Sequence, residues 1–89
     1  MNKKDIQKLV LYRGDIISID DFSWDEENKI FSSGLDGLDI NFSDIDGCTF
    51  DTGAYCTFIT GSDCNFDTGD DCNFDTGLNC TFYLSPKRI

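Results

Sequence analysis

The chain is predicted to be all-β: a narrow two-sided β-solenoid with about 16 residues and two octads per coil, preceded by a capping hairpin and a short helix. Three observations predict it. Cysteine recurs at 48, 56, 64, 72 and 80. Phenylalanine follows two residues later each time, at 50, 58, 66, 74 and 82. Glycine falls at 53, 61, 69 and 77, always directly after threonine. The unit is C-[TN]-F-x-T-G-x-x. A fixed short period is the mark of units that bury an apolar face only by stacking on their neighbours.

Each element has its own warrant. In residues 5–12, Ile6, Leu9 and Val10 fit one face of a helix while LVLY also fits a strand; a short helix is the preferred reading. Residues 15–19 (DIISI) alternate like a strand. Phe22-Ser23-Trp24 and Lys29-Ile30-Phe31 flank Asp25-Glu26-Glu27-Asn28 and read as a hairpin with a four-residue loop. A divergent octad follows, with Ile40 and Phe42 in the Cys and Phe positions. In the repeat itself Cys and Phe are i and i+2, so a strand points both inward. T-G-x-x supplies the bend, with glycine available for a positive φ. Eight residues cannot enclose an interior, whereas two octads form two short strands facing one another. Units one, three and five therefore make one parallel ladder, and units two and four the other.

These elements divide the chain into an N-terminal cap over residues 1–46, the solenoid over 47–84 and a tail over 85–89. Leu84-Ser85-Pro86 is a thin lid for the last coil, whose open edge predicts a homodimer.

The cysteines read as reduced, inward-packed thiols. Their number is odd, no CxxC pair is present and the chain has no histidine. No run of 18 apolar residues suggests a membrane span, and the first residues do not resemble a signal peptide, so a cytoplasmic location is expected.

Charge is segregated. Of 17 acidic and seven basic residues, five basic and seven acidic groups lie in residues 1–29, and Lys87 and Arg88 complete the basic set. Residues 30–86 contain no Lys or Arg and ten aspartates, which accounts for the net charge of −10. A one-sign field of this kind repels nucleic acid and attracts basic clefts.

The octads TGSDCNFD and TGDDCNFD resemble the octapeptides of bacterial ice-nucleation proteins, A-G-Y-G-S-T-L-T, with Cys at the inward Ser and Phe at the inward Leu. They are also similar to the T-G-x-x-C-T-F repeats of small phage and mobile-element proteins. The resemblance covers residues 47–82 and implies octads paired into 16-residue coils. It does not carry ice ordering over, because acid replaces the second outward Thr at Asp51, Asp67 and Asp75.

Other motifs have plainer readings. Asp-Thr-Gly at 51–53, 67–69 and 75–77 looks like an aspartic-protease signature, but the fourth copy is Ile59-Thr60-Gly61 and the triplet is the strand–turn junction of the repeat. Arg13-Gly14-Asp15 is a short word, expected to be partly covered by its flanking strand. The acidic corners lack the regular donor set calcium needs. No P-loop, dinucleotide fingerprint or serine elbow occurs, and identical inward thiols do not single out a nucleophile. A non-enzyme without cofactor or metal is expected.

The outward groups carry the functional expectation. Stacked carboxylates repel, and mixed charge would solubilise the chain as well, so the field itself is expected to be used. The expected contacts are Asp51, Asp63, Asp67, Asp70, Asp71 and Asp75, with Tyr55, Ile59 and Tyr83 as apolar anchors. Asp36, Asp39, Asp44 and Asp46 extend the field toward the cap. The expected partner is a basic nucleic-acid-binding host protein, blocked by a phage or mobile-element inhibitor such as an anti-CRISPR. The alternative is a self-assembling module of a phage particle or surface assembly, joined through the open coil end.

Overall fold

The computed structural model describes residues 2–43 and 45–84; the expected tail at 85–89, Pro86 included, and Asp44 lie outside the described residues. In chain order the elements are α1 (Lys3–Gln7), β1 (Val10–Tyr12), β2 (Asp15–Ile16), β3 (Ser23–Asp25), β4 (Ile30–Ser32), β5 (Leu38–Phe42), β6 (Thr49–Asp51), β7 (Thr57–Thr60), β8 (Asn65–Thr68), β9 (Asn73–Asp75) and β10 (Thr81–Leu84). They form two facing five-stranded sheets, ordered β2-β1-β5-β7-β9 and β10-β8-β6-β4-β3. The chain crosses from one sheet to the other at every octad, as the repeat period demands. The fold is the expected two-walled β-solenoid.

The period fixes the register. Phe50 pairs with Phe66 and Phe66 with Phe82 in one wall, while Phe58 pairs with Phe74 in the other. Each step is 16 residues, parallel. Amides hand on the ladder from coil to coil: Asn65 N donates to Cys48 O, Asn73 N to Cys56 O and Thr81 N to Cys64 O, all at 2.9 Å. Inside, rings of one wall stack face to face at 5.1–5.2 Å with interplanar angles of 4–8°. Rings of opposite walls meet edge to face, as for Phe58–Phe66 at 5.1 Å and Phe66–Phe74 at 5.0 Å. Each such pair adds about 0.5–1.5 kcal/mol beyond the burial of its area.

Cysteine suits the corners for a related reason. Cys48, Cys56 and Cys64 are fully buried, and all five cysteines are free thiols. Cys56 Sγ donates to Ala54 O at 3.5 Å and Cys64 Sγ to Ser62 O at 3.5 Å, within their own turns. Cys72 Sγ and Cys80 Sγ also reach back one coil, each 3.7 Å from a glycine carbonyl, of Gly53 and Gly61 respectively. A thiol is large enough to fill the corner and weakly polar enough to satisfy carbonyls there. The inward threonines help: Thr60, Thr68 and Thr76 donate to the carbonyl of the following glycine at 3.3 Å. Thr52 Oγ1 is buried without such an acceptor, beside the Cys56 thiol, a weak partner at best.

The repeat glycines are needed for space, which corrects the expected positive φ. A Cβ on Gly61 would collide with the Asp46 carboxylate and sit 2.7 Å from Ile45 O; one on Gly69 would lie 2.9 Å from Ala54 N. The left-handed residue of each corner is instead the one before Cys: Gly47, then Tyr55, Asp63, Asp71 and Asn79, with φ of 72, 60, 60, 60 and 63°.

Three N-terminal expectations also shift. The helix covers only Lys3–Gln7, started by a capping box in which Asp5 N donates to Asn2 Oδ1 at 2.9 Å and Asn2 N to Asp5 Oδ2 at 3.2 Å. Val10–Tyr12 is a strand, because Val10 pairs with Ile40 and its side chain is needed in the core. The expected strand at 15–19 is reduced to two residues, joined to β1 by Arg13 and Gly14 with φ of 53 and 86°, the left-handed pair of a tight hairpin turn. Arg13-Gly14-Asp15 is therefore exposed at a hairpin tip rather than covered.

The hairpin of β3 and β4 forms as expected, its loop held by the Asp25 carboxylate, which accepts from Glu27 N and Asn28 N at 3.1 Å. Strand β4 also serves as the first rung, Phe31 pairing with Phe50 in parallel. The divergent octad enters two residues out of phase: Ile40 pairs with Phe58, and Phe42 with Thr60. A two-residue slip keeps every side chain on its expected face. Phe42 thereby reaches Phe50 at 5.2 Å and Trp24 at 6.1 Å and fills the first coil.

Candidate interaction surface

Alternation along each strand puts Cys, Phe and Thr inside and the intervening residues outside. On the β10-β8-β6-β4 wall the register generates one outward row, Ser32, Asp51, Asp67 and Tyr83, and beside it Ile30, Thr49, Asn65 and Thr81. On the other wall the rows are Asp39, Thr57, Asn73 and Asn41, Ile59, Asp75. Neighbouring rungs are ~4.8 Å apart, so Asp51 and Asp67 form a line of like charge.

The corners form two columns on opposite edges. One carries Gly37, Tyr55 and Asp71 behind Asp36, Ala54 and Asp70; Tyr55 N donates to Asp70 O at 3.0 Å and Gly37 N to Ala54 O at 2.9 Å. The other carries Gly47, Asp63 and Asn79 behind Asp46, Ser62 and Leu78; Asp63 N donates to Leu78 O and Gly47 N to Ser62 O, both at 2.9 Å.

The nine expected contacts are thus dispersed. Asp51, Asp67 and Tyr83 share one wall; β8 runs from Asp67 directly into the edge bearing Asp70, Asp71 and, one coil earlier, Tyr55. Asp63 belongs to the opposite edge, while Asp75 and Ile59 belong to the opposite wall. Asp70 is half-buried and the other aspartates of the set are exposed. Tyr55 and Tyr83 are 55% and 67% exposed.

Sequence reasoning misses one pair of carboxylates and the role of another. Asp20 and Asp21, in the loop before β3, line a cleft of about 370 Å³ together with Asp51, Ser32 and Ser33; Ser33 Oγ donates to Asp21 O at 2.8 Å and ties the loop there. They extend the acidic wall by two charges. No periodicity announces them, because the loop lies outside the repeat. Asp36 and Asp46, by contrast, are structural: Asp36 Oδ1 accepts from Ala54 N at 2.9 Å and Asp46 Oδ1 from Ser62 N at 2.8 Å. The signal for that role was the Asp-Gly pair directly before Leu38 and Cys48.

The opposite wall has a different character. Leu9, Leu11, Ile40 and Ile59 line an apolar groove of about 400 Å³. Among the described residues, no group of three or more His, Cys, Asp or Glu side chains is arranged to hold a metal ion. Burial pushes the thiols of Cys56 and Cys64 up, and that of Cys48 to about 11, so they are weak nucleophiles facing the core. What the outer surface offers is rigid, repeated carboxylate oxygens with aromatic neighbours: acceptors for guanidinium and ammonium groups.

Comparison with protein-family models, with curated proteins and with solved structures finds no match to this chain.

Proposed function

We propose that the protein is a small non-enzymatic binding module that presents carboxylates in place of nucleic-acid phosphates and occupies a basic nucleic-acid-binding groove of a partner, blocking it. One observation carries this reading: 57 consecutive residues, 30–86, hold ten aspartates and no Lys or Arg. The spacing supports it. Rungs ~4.8 Å apart give a line of charge of the same order as the ~3.4 Å rise per phosphate along one nucleic-acid strand. Rigidity supports it too, because a fixed array loses little side-chain or loop freedom on docking. The contact surface is the wall and adjoining edge bearing Asp51, Asp67, Asp70 and Asp71, extended by Asp20 and Asp21, with Tyr55 and Tyr83 as aromatic anchors.

The likeness of the octads to phage and mobile-element repeats favours an inhibitor of a host nucleic-acid-handling system over a housekeeping role. Capture and inhibition should weaken steeply as salt rises, since steering by exposed charge is screened over ~10 Å at 0.1 M. The test is triple charge reversal, Asp67→Lys, Asp70→Lys and Asp71→Lys, in an assay of host nucleic-acid-binding proteins retained at low and high salt. The reading expects retention and inhibition to be lost while the fold survives. Retention undiminished by the triple variant would refute it.

A further inference from the structure

We infer that the C-terminal end of the solenoid is a self-association surface, on which two copies of the chain join end to end about a twofold axis into a closed dimer. The inference does not rest on the acidic-surface reading, although Tyr83 borders both surfaces. It begins with the difference between the two ends. At the N-terminal end Ile6, Ile17 and Phe22 are 0, 1 and 4% exposed, and Phe22 stacks on Phe31 at 5.4 Å, closing the aromatic column. At the C-terminal end Phe82 stacks on Phe66 at 5.1 Å with one face and is 40% exposed. Leu78, in the corner that precedes β10, is 78% exposed, and Cys80 and Phe74 are half-buried where Cys64 and Phe58 are fully buried. Among the described residues, no strand pairs with the outer edge of β9 or β10.

Charge names the occupant. The octads at 61–68 and 69–76 carry Asp63 and Asp67, then Asp70, Asp71 and Asp75. In the terminal octad, 77–84, the corresponding positions are Leu78, Asn79 and Tyr83, and no charged residue remains. The other uncharged octad, 53–60, lies inside the stack, where Ile59 lines the apolar groove with Leu9 and Leu11. A basic partner would be better served by aspartates at the open end. Their removal favours a partner of the same negative sign, and a second copy of this chain is such a partner, with matching strands and rings at matching spacing.

Symmetry sets the stoichiometry. At the N-terminal end β2 and β3 are also edge strands, but Phe22 and Phe31 are buried beneath the cap, so among the described residues the exposed ring of Phe82 finds its match at another open end rather than at the capped one. A twofold axis perpendicular to the solenoid reverses strand direction, so β9 and β10 meet the other copy's edge strands antiparallel. Both sheets then continue across the junction, each Phe82 gains a ring of the other copy, and the unpaired edge disappears.

The test is light scattering and sedimentation of the full chain across concentration, together with Leu78→Asp/Tyr83→Asp. These substitutions restore the residue type that Asp46 and Asp67 supply at the equivalent positions of earlier coils, so the backbone accommodates them. The wild type should plateau at twice 10.0 kDa, and the double variant should keep its circular dichroism and cooperative melt at the mass of one chain. Maleimide labelling of Cys80 in the wild type should slow as concentration passes through the transition. Should the double variant not fold, single Tyr83→Asp and the labelling series decide in its place. A wild type that stays monomeric, a folded double variant that still dimerises, mass that climbs without limit, or Cys80 labelling indifferent to concentration would each overturn the dimer.

Discussion

Cys48 shows how a single residue's packing becomes a measurable property of the whole protein. Its thiol is removed from water inside the first repeat corner, and this, with the neighbouring Cys64 contributing, raises its pKa from 9.0 to about 11. In the unfolded chain the thiol ionises near its ordinary value. Between roughly pH 9 and 11 the folded state therefore binds more protons than the unfolded one, and stability falls as pH rises through that window. Below it the group contributes no pH dependence. Denaturant midpoints measured at steps of pH should decline more steeply above pH 9 for the wild type than for Cys48→Ala, in which this thiol is gone. Equal slopes would mean that the corner is not dry.

At the scale of the octad, close approach and left-handed backbone fall on different residues. Gly69 gives the chain room beside Ala54, while Tyr55 bears the positive φ with a full side chain, at a strain of about 1–2 kcal/mol. Gly69→Ala should accordingly destabilise by about 1–3 kcal/mol through overpacking, and Tyr55→Gly should be neutral or stabilising by up to ~1 kcal/mol after the entropy of the added glycine is counted. Thermal and denaturant melts of both variants check the pair; the reverse order would return the positive φ to the glycines. The sequence could not separate these roles. Period and inward faces were legible because Cys and Phe never change, but the left-handed position is filled in turn by Gly, Tyr, Asp, Asp and Asn. The phase of β5 was hidden for another reason: a slip of two leaves apolar and polar faces unchanged, so only pairing to Phe58 reveals it. Much of the outward aspartate surface follows from alternation, whereas Asp20 and Asp21 reach it through a loop whose destination no local pattern states.

For the molecule as a whole, the charge segregation opposes folding. Ten aspartates gathered within residues 30–86 repel one another more strongly on the compact solenoid than along an extended chain. Added salt should raise the melting temperature, with most of the gain between low ionic strength and ~0.2 M, where the screening length falls to several ångströms. The Asp67, Asp70 and Asp71 triple reversal should show a smaller gain than the wild type, because the repulsion it relieves is no longer there for ions to screen. A melting temperature insensitive to salt would place those carboxylates too far apart to matter.

The closed N-terminal end has a consequence for how the chain is made. Synthesis delivers the cap and the β3–β4 hairpin before any full octad, so the strands that carry Phe31 and Phe42 are made before the repeats that pack on them. Each octad that emerges afterward finds its docking site already built by the residues some 16 positions ahead of it. Long-range search is thereby replaced by successive short closures, and the spiral can be laid down in the order in which the ribosome releases it.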